Sequence, residues 1–273
     1  MHPDLHARFV ALHTGDAPLL LPNAWDAGSA RLFEDVGAPA IATSSAAVAW
    51  SRSYPDGNAL PRGDLMDAVR GITRVCTVPV SIDVESGYAD DPCAVAALVA
   101  EVVAAGAVGI NIEDGLDAPA LLADKIRAIR TALGDTPCFI NARTDVMLAG
   151  LAQGEAAVAM VIERMHIYAA AGADGAFVPG RASTRDAAAI AAAMPLALNL
   201  MALPSLPPVA ELRRAGVRRI SSAAGPYKVA LVHAREAVRA YLGGDLAPMF
   251  AVSMDYAATN RLFAGIEGNG DRD

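Results

Sequence analysis

Three acids and one arginine stand out in this chain by type and spacing. Asp83 and Glu85 lie two apart in SIDVESGY (81–88), so on an extended chain both point to one side. Glu113 ends the next apolar run, in NIEDG (111–115), and Arg143 ends the one after, in INARTD (140–145). Carboxylates gathered at one place repel unless a cation or protons intervene. Hard oxygen ligands suit Mg²⁺, with Mn²⁺ as the alternative. Mg²⁺ keeps several waters, so some of these acids would bind it through water. The guanidinium of Arg143 offers a fork that matches a substrate carboxylate. Further polar residues follow other apolar runs: Asn23, Trp25 and Asp26; Ser44 and Ser45; Tyr88; Asp114; Asn199; Ser221 and Ser222. Plainer readings stand beside these. An acid after a strand often caps the next helix, which alone accounts for Asp26 or Asp114. Trp25 reads equally well as a core aromatic.

Several chemistries are disfavoured. A Schiff-base mechanism needs a lysine at a strand end. The chain has only Lys125 and Lys228, both in helical segments. The five histidines (His2, His6, His13, His166, His233) lie near the start or in expected helices, which argues against a zinc site or a triad. Cys76, Cys93 and Cys138 show neither metal spacing nor a paired set, and read as reduced thiols in or near the core. Gly225, in SSAAGPYK, is a weak signal for a phosphate nest.

The elements that must position these residues alternate along the chain. Eight short apolar runs read as strands: PLLLP (18–22), PAIAT (39–43), VPVSIDV (78–84), VGINI (108–112), PCFINA (137–142), GAFVP (175–179), LALNL (196–200) and RISSA (219–223). They are continuously apolar, as strands buried on both faces must be. Helical periodicity fills most gaps between them. Four of those stretches end in a glycine (Gly37, Gly106, Gly172, Gly216), the residue preferred just past a helix C-terminus. Eight such units predict a (β/α)8 barrel of the TIM type, whose active site lies at the C-terminal ends of the strands. An open doubly wound sheet is the rival, but no G-x-G-x-x-G follows the first run. No linker divides the chain, so residues 1–273 read as one barrel domain with a C-terminal helical extension.

Length and composition agree. The chain has 273 residues and a net charge of −8, and is 54% hydrophobic but only 5% aromatic and 19% charged. The acidic balance and the lack of lysine clusters argue against nucleic acid as a partner. Mean hydropathy is +0.33, and the run 187–210 carries no charge. Pro195, Pro204, Pro207 and Pro208 break that run, so it does not read as a membrane span. His2, Asp4, His6 and Arg8 interrupt the first ten residues where a signal peptide would be apolar. The expectation is a soluble cytoplasmic protein.

With these motifs in place, the chain resembles the isocitrate lyase/phosphoenolpyruvate mutase superfamily from about residue 19 to residue 233. The carriers are NAWDAGSARLFEDVGAPAIATSS (23–45), SYPDGN (53–58), SIDVESGY, NIEDG, INARTD and LNL (198–200). The resemblance implies a modified barrel whose last helix is exchanged with a neighbouring subunit, giving dimers and then a dimer of dimers, a homotetramer. It implies Mg²⁺ and a small 2-oxo or enolic carboxylate. Asp83 would bind Mg²⁺ directly, and Asp56, Glu85 and Glu113 would hold its waters. Ser44, Ser45 and the following backbone N–H groups would grip the substrate carboxylate. Trp25 and Asn199 would line the pocket. Arg143, Glu113 and Asp56 form the expected catalytic set.

The sequence departs from the family after Glu113. Isocitrate and methylisocitrate lyases carry a K-[KR]-C-G-H loop there, and the mutases a gating loop with Lys and Asn. Here the chain runs Asp114-Gly115-Leu116-Asp117-Ala118-Pro119 and enters a helix by about Ala120. The expected activity is a Mg²⁺-dependent lyase for a small 2-oxo or 2-hydroxy carboxylate, by C–C cleavage or decarboxylation. The alternatives are a phosphonopyruvate-type P–C mutase or hydrolase, and a 2-oxo-acid-binding protein with little catalysis.

Overall fold

The computed structural model describes residues 3–251 and 253–264. Every apolar run named above becomes a strand. They are β1 (Leu19–Leu21) with β2 (Asn23–Ala24), β3 (Ile41–Thr43), β4 (Val80–Asp83), β5 (Gly109–Glu113), β6 (Phe139–Arg143), β7 (Gly175–Val178), β8 (Ala197–Met201) and β9 (Arg219–Ser221). All pairings are parallel, in the order β1-β9-β8-β7-β6-β5-β4-β3-β2. Pro22, which has no N–H to donate, splits the first strand in two. Its first half pairs with β9 and its second half with β3, so this one segment closes the ring. The result is the expected (β/α)8 barrel, and the doubly wound rival is set aside.

Helices α2 (Ala27–Asp35), α3 (Ser45–Ser51), α4 (Arg62–Val75), α5 (Pro92–Ala104), α6 (Pro119–Leu133), α7 (Gly154–Ala171), α8 (Thr184–Ala193), α9 (Val209–Arg214) and α10 (Gly225–Leu242) follow the strands. Gly37, Gly106, Gly172 and Gly216 all have positive φ, as the helix-end reading required. The main apolar core lies between barrel and helices and includes Ile41, Ile82, Ile110, Ile126 and Val161. A smaller cluster fills the other end of the barrel, where α1 (Pro3–Thr14) brings Phe9 against Leu19, Leu21 and Phe139. After α10 come α11 (Pro248–Ala251) and α12 (Tyr256–Phe263). Leu262 of α12 is buried, and its carbonyl accepts from Arg31 Nε of α2 at 3.1 Å. The rest of the expected C-terminal extension, from residue 265 on, lies outside the described residues. No described helix is long and apolar enough to cross a membrane.

Candidate active site

The C-terminal ends of β4, β5 and β6 bring Asp83, Glu113 and Arg143 to one rim. Register pairs Asp83 with Asn111 and Glu113 with Arg143 across neighbouring strands. Asp83 is 7% exposed; its N–H donates to Thr43 Oγ1 at 2.8 Å, which ties it to β3. Its Oδ1 accepts from Glu85 N at 3.0 Å, and the Asn111 side chain bonds its carboxylate. Burial raises its pKa, Arg143 opposes that, and the charge of Asp56 adds to it.

One expectation is corrected here. Asp83 and Glu85 do not share the face of a continuing strand, because β4 ends at Asp83 and Glu85 has φ 50°. Glu85 still turns its carboxylate back toward the rim. Oε1 accepts from Tyr88 Oη at 2.8 Å, and Oε2 from the backbone N–H of Asn58. Asn58 Nδ2 also donates to Ser86 Oγ at 3.0 Å, so the SYPDGN loop is stitched to the loop after β4. Asp56 rides on that loop, solvent-exposed, with its charge felt at Asp83, Glu85 and Tyr88. Lys125 is 1% exposed and reaches from α6 to donate to Ser86 O at 2.9 Å. It is thus a brace behind the loop. Among the described residues, the five non-glycines with left-handed backbone are Ser53, Asn58, Glu85, Tyr88 and Ala223, all in loops at this rim. Such strain persists only where surroundings hold it, and it clusters at functional sites.

Arg143 is fully engaged. Nε and Nη2 donate to the two oxygens of Asp145 at 2.6 and 2.9 Å, and Nη1 pairs with Glu113 at 2.5 Å. Its Cζ stands 5.7 Å from the centroid of Phe177, within cation–π range. The fork read as open to substrate is therefore already held by Asp145. Glu113 has its pKa pushed up to about 8, by burial first and by Asp83, Asp145 and Glu85 further, against the pull of Arg143. Ion pairing and a raised pKa coexist because several acids share one guanidinium.

The remaining expected residues are placed as follows. Ser44 caps α3, its Oγ accepting from Ala47 N at 3.4 Å, and Ser45 opens that helix. Trp25 packs edge-on against Phe33 and Tyr227 at 6.0 and 5.2 Å. Asn199 is fully buried in the barrel; its Oδ1 accepts from Ser221 Oγ at 3.1 Å. Asn23 latches the barrel seam by donating to Thr43 O at 2.7 Å and accepting from Ala223 N at 3.0 Å. Asp26 caps α2, as its plainer reading held. Asp114 does not cap α6, whose N-cap is Ala118; it is a buried acceptor for four donors. Two further groups carry roles that the sequence reading does not assign. Asp145 is one, although its spacing of two from Arg143 was a usable signal. Arg219 is the other. It is fully buried, spans the lumen to donate to Asn111 Oδ1 at 3.2 Å, and has its pKa lowered to about 9 by burial.

Among the described residues, no three His, Cys, Asp or Glu side chains close on one ion directly. The donor set nonetheless fits a hydrated hard cation. Asp83 and Glu85 are buried and Glu113 largely so, the set offers oxygen only, and Mg²⁺ retains water between itself and outer carboxylates.

A parallel barrel with acids and one clamped arginine at its C-terminal rim has the architecture of an α/β-barrel enzyme. The chain belongs to the phosphoenolpyruvate phosphomutase family, whose model matches residues 9–242. An uncharacterized protein of Mycobacterium tuberculosis (strain ATCC 25618 / H37Rv) is 37% identical over 244 residues, covering 88% of this chain and 91% of that one. Oxaloacetate decarboxylase of Bradyrhizobium sp. (strain BTAi1 / ATCC BAA-1182) is 31% identical over 241 residues, covering 85% and 83%. The structure of a phosphonopyruvate hydrolase complex with oxalate and Mg²⁺ shares the fold, with a TM-score of 0.82, 23% identity and 94% of each chain covered. The superfamily comprises lyases and mutases of small carboxylates.

Proposed function

We propose that the protein is a Mg²⁺-dependent lyase that cleaves or decarboxylates a small 2-oxo or 2-hydroxy carboxylate, with Mn²⁺ able to substitute. The observation that carries this reading is the meeting of Asp83, Glu85, Glu113 and Arg143 at one rim. Asp83 would hold the ion, with Asp56, Glu85 and Glu113 holding its waters. When bound, the ion would stabilise negative charge on the substrate's oxygens. Arg143 orients those oxygens through its Nη1 edge. The first turn of α3 supplies backbone N–H groups outside the helix ladder for the substrate carboxylate. Trp25 and Asn199 bound the pocket.

The β5–α6 connection is short, 114–118, and carries no Lys, His or Cys. A connection that brings no proton donor of its own favours the reaction that asks least of one. Decarboxylation of an oxaloacetate-like acid meets that condition, and the oxaloacetate decarboxylase relative supports it. The test is pyruvate formation from oxaloacetate and from methylisocitrate, with Mg²⁺ and with EDTA. Mg²⁺-dependent turnover of one of them is expected; no turnover of any small 2-oxo or 2-hydroxy acid would refute the reading. The matching family model favours P–C chemistry as second choice. Phosphonopyruvate followed by phosphorus NMR decides between them. Tight Mg²⁺-dependent binding of 2-oxo acids without product would mark a binding protein.

We also propose that the protein works as a homo-oligomer, a dimer of dimers. Helix α10 has 18 residues and none is buried within the chain. Val229, Leu231, Val238, Tyr241 and Leu242 are each at least half exposed. A second copy is the occupant that buries them. The three free thiols support a reducing, cytoplasmic setting.

A further inference from the structure

We propose that Asp114, backed by Arg164 and Tyr168 of α7, is a positioning residue that fixes how Arg143 presents its guanidinium. The inference rests on the reading of Arg143 as a substrate contact. The Asp114 side chain is fully buried and accepts four hydrogen bonds. Two come from the segment after β6: Thr144 Oγ1 at 2.7 Å and Asp145 N at 3.0 Å. Two come from α7: Arg164 Nη1 at 2.7 Å and Tyr168 Oη at 2.6 Å. The Asp114 backbone N–H also donates to Arg143 O at 3.1 Å. One acid thus holds residues 143, 144 and 145 in a row.

A buried carboxylate is costly unless paired and hydrogen-bonded, and here Arg164 and three neutral donors satisfy it. The consequence is geometric. With its backbone pinned, Asp145 places both carboxylate oxygens against Nε and Nη2 of Arg143. A bidentate pair of this kind sets the plane of the guanidinium as well as its place. Only the Nη1 edge is left to face Glu113 and the site. Without the hub, Asp145 would be free to move beyond the end of β6, and the Arg143 side chain would lose the clamp that sets its plane. The hub therefore makes the packing of α7, where Tyr168 is fully buried, a determinant of substrate grip at the rim.

The test uses Tyr168→Phe, which removes one of the four bonds and keeps the ring, and Asp114→Asn. The Nε–H resonance of Arg143, assigned by its loss in Arg143→Lys, reports the clamp with neither ion nor substrate present. It should be sharp and slow to exchange in the parent, and broadened with faster exchange in both variants. Oxalate binding in the presence of Mg²⁺ should weaken severalfold in Tyr168→Phe, because a looser Arg143 is a less preorganised contact. Mn²⁺ binding followed by EPR should stay within twofold of the parent. If Asp114→Asn does not fold, Tyr168→Phe decides alone. An unchanged Nε–H signal with only a lower melting temperature would assign a purely structural role and overturn the proposal. A parent protein that binds no oxalate would refute the substrate reading of Arg143, while the Nε–H signal still decides the clamp.

Discussion

At the residue scale, the site is an excess of buried negative charge with one clamped cation. Glu85 keeps its carboxylate at the rim through bonds from Tyr88 and Asn58. Replacing it by Gln should weaken Mn²⁺ affinity by about 10–100-fold, the usual effect of losing a group that orients a metal's surroundings. EPR titration measures this directly, and unchanged affinity would remove Glu85 from the metal set. Glu113 gives a pH signature. Its folded pKa is raised from 4.5 to about 8, so the metal-free fold favours its neutral form. That contribution to stability is complete below pH 4.5 and is lost as pH rises through about 8. A divalent cation reverses the preference. The rise in melting temperature on adding Mg²⁺ should therefore be larger at pH 8.5 than at pH 6, and Glu113→Gln should flatten the difference. Asp83, Glu113 and Arg143 were legible because each ends an apolar run, where a barrel puts its chemistry. Asp114 was misread because an acid one residue past a strand looks like a helix cap. The donors that reveal its role come from α7, 50 and 54 residues away in sequence.

At the scale of elements, loops after β4 and α3 hold the site by mutual support. Gly87 has φ +96°, and a Cβ there would fall 2.6 Å from Val95 Cγ1, so the turn presses against α5 and has no slack. The opposite end of the barrel depends on α1. His13 is buried, its Nδ1 donates to Phe9 O at 2.8 Å, and its ring stacks on Phe139 with centroids 4.3 Å apart. Burial, with Arg219 nearby, lowers its pKa from 6.5 to about 4. An unfolded chain binds a proton at His13 below pH 6.5 while the fold does not. Stability from this group is thus complete above pH 6.5 and is lost as pH falls through about 4, by roughly 3 kcal/mol in all. Thermal melts from pH 7 to 4.5 should fall less steeply in His13→Gln than in the parent. An equal slope would show that α1 is not the acid-labile element. The helices and strands themselves were plain in the sequence, since continuous apolar runs alternate with alanine-rich stretches that end in glycine. The turn at Glu85 was not, because a left-handed non-glycine is imposed by contacts from Asn58, Tyr88 and Lys125.

At the scale of the whole molecule, a helix with no buried residue is an unfinished element. Light scattering coupled to size exclusion should find a tetramer. Val238→Glu with Leu242→Glu should shift it to smaller species while circular dichroism keeps the barrel signature. A monomeric parent would refute the exchange. The amino-acid sequence by itself determined the barrel, the order of its strands and the end at which chemistry collects. Those follow from local patterning: eight apolar runs alternate with helical stretches, four of which end in glycine. It also determined which acids reach the rim, because parallel strands align their C-terminal ends. Only the tertiary structure decided how those side chains are shared. Asp145 takes the fork of Arg143, Asp114 anchors Asp145 from the end of β5 with backing from α7, and Arg219 crosses the lumen to Asn111 from 108 residues away. Spacing along the chain cannot register such bonds. They depend on which side chains the closed ring brings within 3 Å of each other.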